Sequence, residues 1–256
     1  MKAVFVGAGN LATNLGMSLM ANGIDVVQVY SRTEDSASAL SEKLKCAHTT
    51  DIDEVISDAD IYFISVKDSV LESLASRLLH GREDRLFVHT SGSMPMTALP
   101  FSHRGVFYPM QTFSKSKIVD FSNIPIFIEA DDSEDLNKLD ALAHKLSSSV
   151  YVLDSSRRRY LHLSAVFCCN FVNHCYAVSE DILKSCGVPF DVMLPLIDET
   201  SAKVHTISPK DAQTGPAVRY DENVIAKHLD LLGDKPVFQD IYRLMSDSIH
   251  KMSTGE

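Results

Sequence analysis

The chain has 256 residues, of which 45% are hydrophobic and 23% charged, ordinary values for a globular protein and not for a disordered one. Its formal net charge of −10 at pH 7 speaks against nucleic acid or an anionic membrane surface as a partner, since both favour a basic face. No apolar run reaches the length of about 18 residues needed to cross a bilayer, and no secretory leader is expected, because Lys2 passes at once into a strand-like run.

Lys2–Val6 is a short apolar run feeding Gly7, and Leu11–Asn22 then carries Leu11, Leu15, Leu19 and Met20 at helical spacing. Val26–Tyr30 predicts a second strand, Ser36–Lys45 a helix, Cys46–Thr49 a short strand and Ile52–Asp58 another helix. Ile61–Val66 is a third strong apolar run, followed by a helix over Val70–Leu79 and a strand over Leu86–His89. Val106–Tyr108, Ile124–Glu129 and Val150–Leu153 predict further strands, with a helix over Glu134–Leu146 before the last. Strands alternating with helices of about 10–15 residues predict right-handed βαβ units and a parallel sheet.

After Asp154 the pattern changes. Arg157–Cys186 holds neither proline nor glycine and is apolar nearly all round between Leu161 and Val178. A helix without a wet face is usually buried on several sides, here against the first domain and a second subunit, so a homodimer is expected. Cys168, Cys169, Cys175 and Cys186 fall in this stretch; with Cys46 they form no CxxC pair and no zinc-like spacing. Such cysteines act as small hydrophobes, and a reducing, cytoplasmic compartment is expected. Further helices are predicted over Asp191–Val204, Glu222–Leu232 and Val237–Met252, broken at Gly187–Pro189, Ser208–Pro216 and Gly233–Pro236.

Residues 7–12 read Gly-Ala-Gly-Asn-Leu-Ala, a GxGxxA motif between a strand and a helix. Gly7 permits the tight turn, Gly9 lets the backbone approach a pyrophosphate, and Ala12 lets helix and strand pack closely. The helix start, with Asn10 and Leu11, offers its backbone N–H groups and dipole to the phosphates. A site for NAD places an acid at the end of the second strand, roughly 20 residues on. Here that place reads Tyr30-Ser31-Arg32-Thr33, with Asp25 at the wrong end and Glu34 and Asp35 beyond the turn. The hydroxyls of Ser31 and Thr33 and the guanidinium of Arg32 suit a 2′-phosphate instead, so NADP(H) is the expected cofactor. The reading is an α/β protein with an NADP-binding Rossmann domain at 1–153 and an all-helical domain at 154–256 for substrate and dimerisation.

With these residues in view, the chain resembles the superfamily of pyrroline-5-carboxylate reductase, 6-phosphogluconate dehydrogenase and the β-hydroxyacid dehydrogenases. The extended loop GAGNLATNLG and the SRT after the second strand are similar to theirs. A closer resemblance spans nearly the whole chain and is to a Rossmann-like bacterial family of unassigned function, described as NADP oxidoreductases. It is carried by ISVKDSVL (64–71), HTSGS (89–93), YPMQTF (108–113), HLSAVFCCN (162–170) and TGPAVRYD (214–221). The chain departs from that family in two places. Tyr108-Pro109 stands where the family pattern has His-Pro, and Arg219-Tyr220-Asp221 where it has Arg-Gly-Asp. The resemblance implies a Rossmann domain followed by a helical, 6-phosphogluconate-dehydrogenase-like dimerisation domain.

Open α/β sheets bind ligands outside the carboxyl ends of their strands. Val66 and Lys67 end the strand that, in the related dehydrogenases, runs beside the nicotinamide half of the cofactor. His89-Thr90-Ser91-Gly92-Ser93 ends the next, where Ser91 and nearby amides are placed to hold a substrate carbonyl or carboxylate. Hydride transfer to a carbonyl or imine needs a proton donor and a polarising group. The β-hydroxyacid dehydrogenases use a Lys with an Asn one turn later on the first long helix after the Rossmann domain. The matching helix here has no lysine between Leu161 and Asp181 and offers His162, Asn170, Asn173 and His174. His162 and Asn170 are eight apart and so roughly 80° out of register, whereas 166, 170, 173 and 174 share a face of an ideal α-helix. No metal site is expected, since the histidines lack HExxH or similar spacing, and no GxSxG elbow points to a hydrolase.

The favoured reading is an NADP-dependent oxidoreductase of a small carbonyl, hydroxy or imine substrate. A non-catalytic dinucleotide sensor and a reductase taking hydride from a reduced deazaflavin are the alternatives.

Overall fold

The computed structural model describes residues 1–78 and 81–255, and the chain forms two compact units, Met1–Cys169 and Asn170–Glu256. The first unit is built on one sheet of eight strands in the order β3-β2-β1-β4-β5-β6-β7-β8. These are β1 (Lys2–Val6), β2 (Asp25–Tyr30), β3 (Ala47–Thr49), β4 (Ile61–Ile64), β5 (Leu86–His89), β6 (Arg104–Pro109), β7 (Ile126–Ala130) and β8 (Val150–Val152). Helices α1 (Asn10–Ala21), α2 (Glu34–Leu44), α3 (Asp68–Leu78) and α4 (Ser133–Leu146) connect them. The Leu79 end predicted for α3 lies outside the described residues.

Both faces of the sheet are covered, which is why its central strands read as unbroken apolar runs. Ala3, Phe5, Phe63, Val88 and Phe107 pack with α1, α2 and α4 on one side, with Phe5 stacked on Phe63 at 5.1 Å. Their alternate neighbours Val4, Val6, Tyr62, Ile64 and Phe87 face α3 and the segment Ala98–Phe101 on the other, with Tyr62 stacked on Phe87 at 4.5 Å.

Two expectations are corrected. From β3 to β6 the sheet is parallel, but β7 runs antiparallel to β6, with β8 parallel to β7. Parallel pairing needs a crossover, usually helical. Residues 110–125 form no helix, and the chain turns back alongside β6. Residues 52–58, expected as a helix, hold only a short 3₁₀ turn, Ile52–Glu54. Side chains take over the backbone groups that a helix would pair. Gln28 donates to Glu54 O and accepts from Ile56 N, and the Tyr62 hydroxyl donates to Ile56 O.

The chain then enters α5 (Ser155–Ala165), a π-helical segment (Val166–Phe171) and α6 (Val172–Ser185) without a break. The unit boundary falls inside the π segment. The second unit adds α7 (Leu194–Lys203), α8 (Pro209–Ala212), α9 (Glu222–Leu231) and α10 (Pro236–Thr254). Among its described residues only Ala217 and Ser246 are buried. It carries an open apolar pocket of about 350 Å³ lined by Val178, Ile182, Leu232, Phe238, Ile241 and Met245 among others. Tyr220, where the resembled family carries glycine, has a left-handed backbone (φ 50°) and hydrogen-bonds Asp247 at 3.0 Å.

Candidate active site

At the end of β1, Gly7 has φ 119° and donates its N–H to Tyr30 O at 2.8 Å. A side chain there would place Cβ 2.1 Å from Ser65 O, so glycine is required for both conformation and space. Gly9 is the N-cap of α1 and supplies no side-chain cap, while a Cβ built on it meets nothing within 4 Å. The first-turn N–H groups of Asn10, Leu11 and Ala12 therefore face an open approach, which an anion suits. Ala12 is fully buried against the sheet. Buried Asn14 braces the loop, donating to Asn10 O and Ser114 O and accepting from Val119 N.

At the end of β2, Ser31 is half-buried and Arg32 and Thr33 are exposed. Arg32 has no ion-pair partner among the described residues, and Thr33 makes no cap bond to α2. The nearest following acid, Glu34, is taken up by His48 Nε2 at 2.8 Å. The strand end thus presents two hydroxyls and a guanidinium without an ion-pair partner among the described residues, an arrangement complementary to a phosphate.

The carboxyl ends of β4, β5 and β6 lie side by side. Past β4, Val66 is half-buried and Lys67 exposed, and Asp68 accepts a short hydrogen bond from the Ser93 hydroxyl. His89 ends β5 fully buried. Burial, helped by the charge of Arg158, pushes its imidazole down to about 4. Neutral His89 accepts Ser91 N–H at Nδ1 (3.2 Å) and lies 3.3 Å from Pro95 O at Nε2, which fixes the Nε2–H tautomer. Ser91 Oγ in turn accepts from the amides of Ser93 and Met94. These amides were expected to be free for substrate; they are spent on the turn itself.

Tyr108, near the end of β6, is buried, and its hydroxyl lies 3.1 Å from His162 Nδ1 on α5. The position of α5 is set one turn earlier. Arg158 is fully buried, donates to Glu129 of β7 in a short ion pair, and reaches Met94 O at 2.6 Å and Ser155 Oγ at 3.0 Å. Ser155 Oγ also donates to Glu129 at 2.7 Å and accepts Met96 N–H at 2.8 Å. Helix, strand and the turn after β5 are tied into one buried polar cluster, which the sequence did not reveal. Asp154 caps α5 and so selects which of Arg157, Arg158 and Arg159 points inward.

Of the residues predicted for catalysis, Ser91 and His162 lie in the first unit on either side of Gly92. A Cβ on Gly92 would come within 2.6 Å of His162 Nδ1. Asn170 and His174 belong to the second unit, and both are exposed. The shared face predicted for 166, 170, 173 and 174 assumed unbroken α-helix. Because Val166–Phe171 is π-helical, its wider turns shift that register. Among the described residues, His103, Asp132 and Asp135 bring ligand atoms within 4.8 Å of one another on the opposite edge of the sheet. Their charges are already matched by His103–Asp135 at 2.8 Å and Lys138–Asp135 at 3.1 Å.

A crystal structure of a protein from Bacteroides fragilis described as a "putative NADP oxidoreductase" is 54% identical to this chain. It superposes with a TM-score of 0.94 over 98% of each chain. The chain belongs to this NADP oxidoreductase family. Residues 2–91 match the family described as "NADP oxidoreductase coenzyme F420-dependent", and residues 124–249 match the family described as "Domain of unknown function (DUF2520)". NADP is the cofactor by which the family is described. An imine reductase from Myxococcus stipitatus in complex with NADP+ shares the fold, at 14% identity and a TM-score of 0.70 over 100% of this chain and 95% of that one. Pyrroline-5-carboxylate reductase from Staphylococcus aureus is 29% identical over 101 residues. This stretch is 38% of the chain and 37% of that relative's length.

Proposed function

We propose that this family member is an NADPH-dependent reductase of a small imine or carbonyl compound, or the matching NADP-dependent dehydrogenase of a hydroxy compound. The observation that carries the reading is the shared carboxyl edge. An uncapped helix start at Gly9 and a phosphate-complementary Ser31-Arg32-Thr33 stand on the same edge as Ser91, Tyr108 and His162. Gly7, Gly9, Asn10, Leu11 and Ala12 cradle the pyrophosphate, Ser31, Arg32 and Thr33 the 2′-phosphate, and Val66 and Lys67 flank the nicotinamide. Ser91 and the adjacent Gly92 amide hold the substrate's polar end. Asn170 polarises the reacting bond, and His162 or His174 supplies the proton. Fold-sharing with an NADP+-bound imine reductase, and the partial match to an enzyme named for a cyclic imine, favour the imine branch.

A homodimer is part of the same reading. Leu163 (52% exposed), Leu196 (62%) and Leu244 (71%) leave a large apolar area uncovered in the single chain. Five unpaired cysteines fit a cytoplasmic setting. A second reading replaces NADPH as hydride source with reduced deazaflavin, favoured by the family description matched at residues 2–91. The test is NADPH consumption over a panel of cyclic imines, ketones and aldehydes, with reduced deazaflavin assayed in parallel. Turnover that requires Ser91 and His162 supports the proposal. Tight NADPH binding without turnover on any compound would instead make the chain a dinucleotide sensor.

A further inference from the structure

His162 is walled along one edge of its ring and open along the other. A Cβ built on Gly92 would stand 2.6 Å from Nδ1, 2.7 Å from Cγ and 2.9 Å from Cβ of His162, so the Gly92 backbone closes that side. The Tyr108 hydroxyl occupies the remaining approach to Nδ1 at 3.1 Å, with the two rings inclined at 75°. Nε2 has no hydrogen-bond partner among the described residues, and the side chain is only half-buried. Arg158, one turn earlier on the same helix, locks α5 in place through Glu129 and Met94.

Tyr108 is 8% exposed, and His162 is the single hydrogen-bond partner of its hydroxyl among the described residues. A buried hydroxyl proton left unpaired is costly, so the O–H points at Nδ1, which must then offer its lone pair. Burial also pushes the Tyr108 phenol up, partly offset by the Arg158 charge, so the hydroxyl keeps its proton through the neutral range.

We propose that Tyr108 is a positioning residue that holds the neutral form of His162 as its Nε2–H tautomer, making Nε2–H a hydrogen-bond donor that polarises the reacting atom of the substrate, while the proton transferred in turnover comes from His174 or solvent. The proposal rests on the placement of His162 in the site above and narrows the substrate class. The reacting atom must bring a lone pair to an N–H donor, as a carbonyl oxygen or an unprotonated imine nitrogen does. A preformed iminium cation brings none and meets the donor head-on.

The test is a two-bond ¹H–¹⁵N correlation spectrum of protein labelled at histidine, with His162 assigned by its loss in His162→Gln. The expected result at neutral pH is the Nε2–H pattern, moving toward a tautomer mixture in Tyr108→Phe while NADPH affinity is kept. An Nδ1–H pattern in the wild type, or one unchanged by Tyr108→Phe, overturns the proposal. If Tyr108→Phe fails to fold, the wild-type pattern alone decides. Where turnover is found, His162→Gln, whose amide reaches toward the Nε2 position, should keep about tenfold more kcat/KM than His162→Asn, whose amide mimics Nδ1. Equal losses would remove Nε2 as the working nitrogen. Absence of turnover on any compound would sink the reductase reading and leave the tautomer result intact.

Discussion

Glu129→Ala is the substitution whose cost follows most directly from the structure. The Glu129 carboxylate accepts from Arg158 and Ser155, and the Arg158 side chain is 1% exposed against 14% for Glu129. Without it the guanidinium keeps Met94 O and Ser155 Oγ but stays buried without its counter-charge, and its Nε already has no hydrogen-bond partner among the described residues. Removing one member of a buried pair costs about 3–5 kcal/mol, roughly a fifth or more of a typical domain's total stability of about 5–15 kcal/mol. Replacing both members, as in Glu129→Leu with Arg158→Met, removes the stranded charge and is expected to be close to neutral. Urea denaturation of the wild type, Glu129→Leu, Arg158→Met and the double variant gives the coupling directly. With each single variant costing about 3 kcal/mol or more and the double close to neutral, the predicted coupling is about 6 kcal/mol or more in favour of the double variant. A single variant costing less than about 1 kcal/mol, or a double variant equal to the sum of the singles, would refute the clamp on α5.

His89 makes stability depend on pH. Its folded-state imidazole lies at about 4 against an ordinary 6.5, so the unfolded chain takes up the proton first as pH falls. Stability is full above pH 6.5 and declines by about 3 kcal/mol toward pH 4, and His89→Gln should flatten the profile in that window; an unchanged slope would show that burial of His89 is not its cause. Gly7→Ala must overcome a 2.1 Å overlap with Ser65 O, so calorimetry should show NADPH binding lost or the fold lost with it; wild-type affinity would contradict the tight turn. Light scattering at micromolar concentration should give twice the mass of one chain, with Leu163→Glu shifting the population toward monomer; a single-chain mass for the wild type would dismiss the dimer.

The sheet was legible because its strands are apolar on both faces, so Val4 and Val6 read as strand residues as clearly as Ala3 and Phe5. The direction of β7 was not, since nothing in Ile126–Ala130 records which way it runs; the connection before it decides that. Gly7 announced itself through its place between strand and helix, and its overlap with Ser65 O gives the reason. His89 looked like one more polar member of a turn, yet its burial and the partners of both its nitrogens emerge only when Ser91 and Pro95 fold over it. Arg158 was hidden among three consecutive arginines, because the choice of the inward one depends on helix phase set by the Asp154 cap. The π-helical turn at Val166–Phe171 left no mark in composition, and it altered the register of Asn170 and His174 that α-helical spacing had suggested.

Calorimetric titration of the wild type with NADPH and with NADH tests the central claim most directly, because the glycine loop and Ser31-Arg32-Thr33 differ in which cofactor feature they meet. The pyrophosphate is common to both cofactors; only the 2′-phosphate reaches the end of β2. NADPH should bind at least about tenfold more tightly, a difference of about 1.4 kcal/mol, and Arg32→Ala should shrink the gap by weakening NADPH alone. Equal affinities in the wild type, or a gap that Arg32→Ala leaves unchanged, would contradict the account.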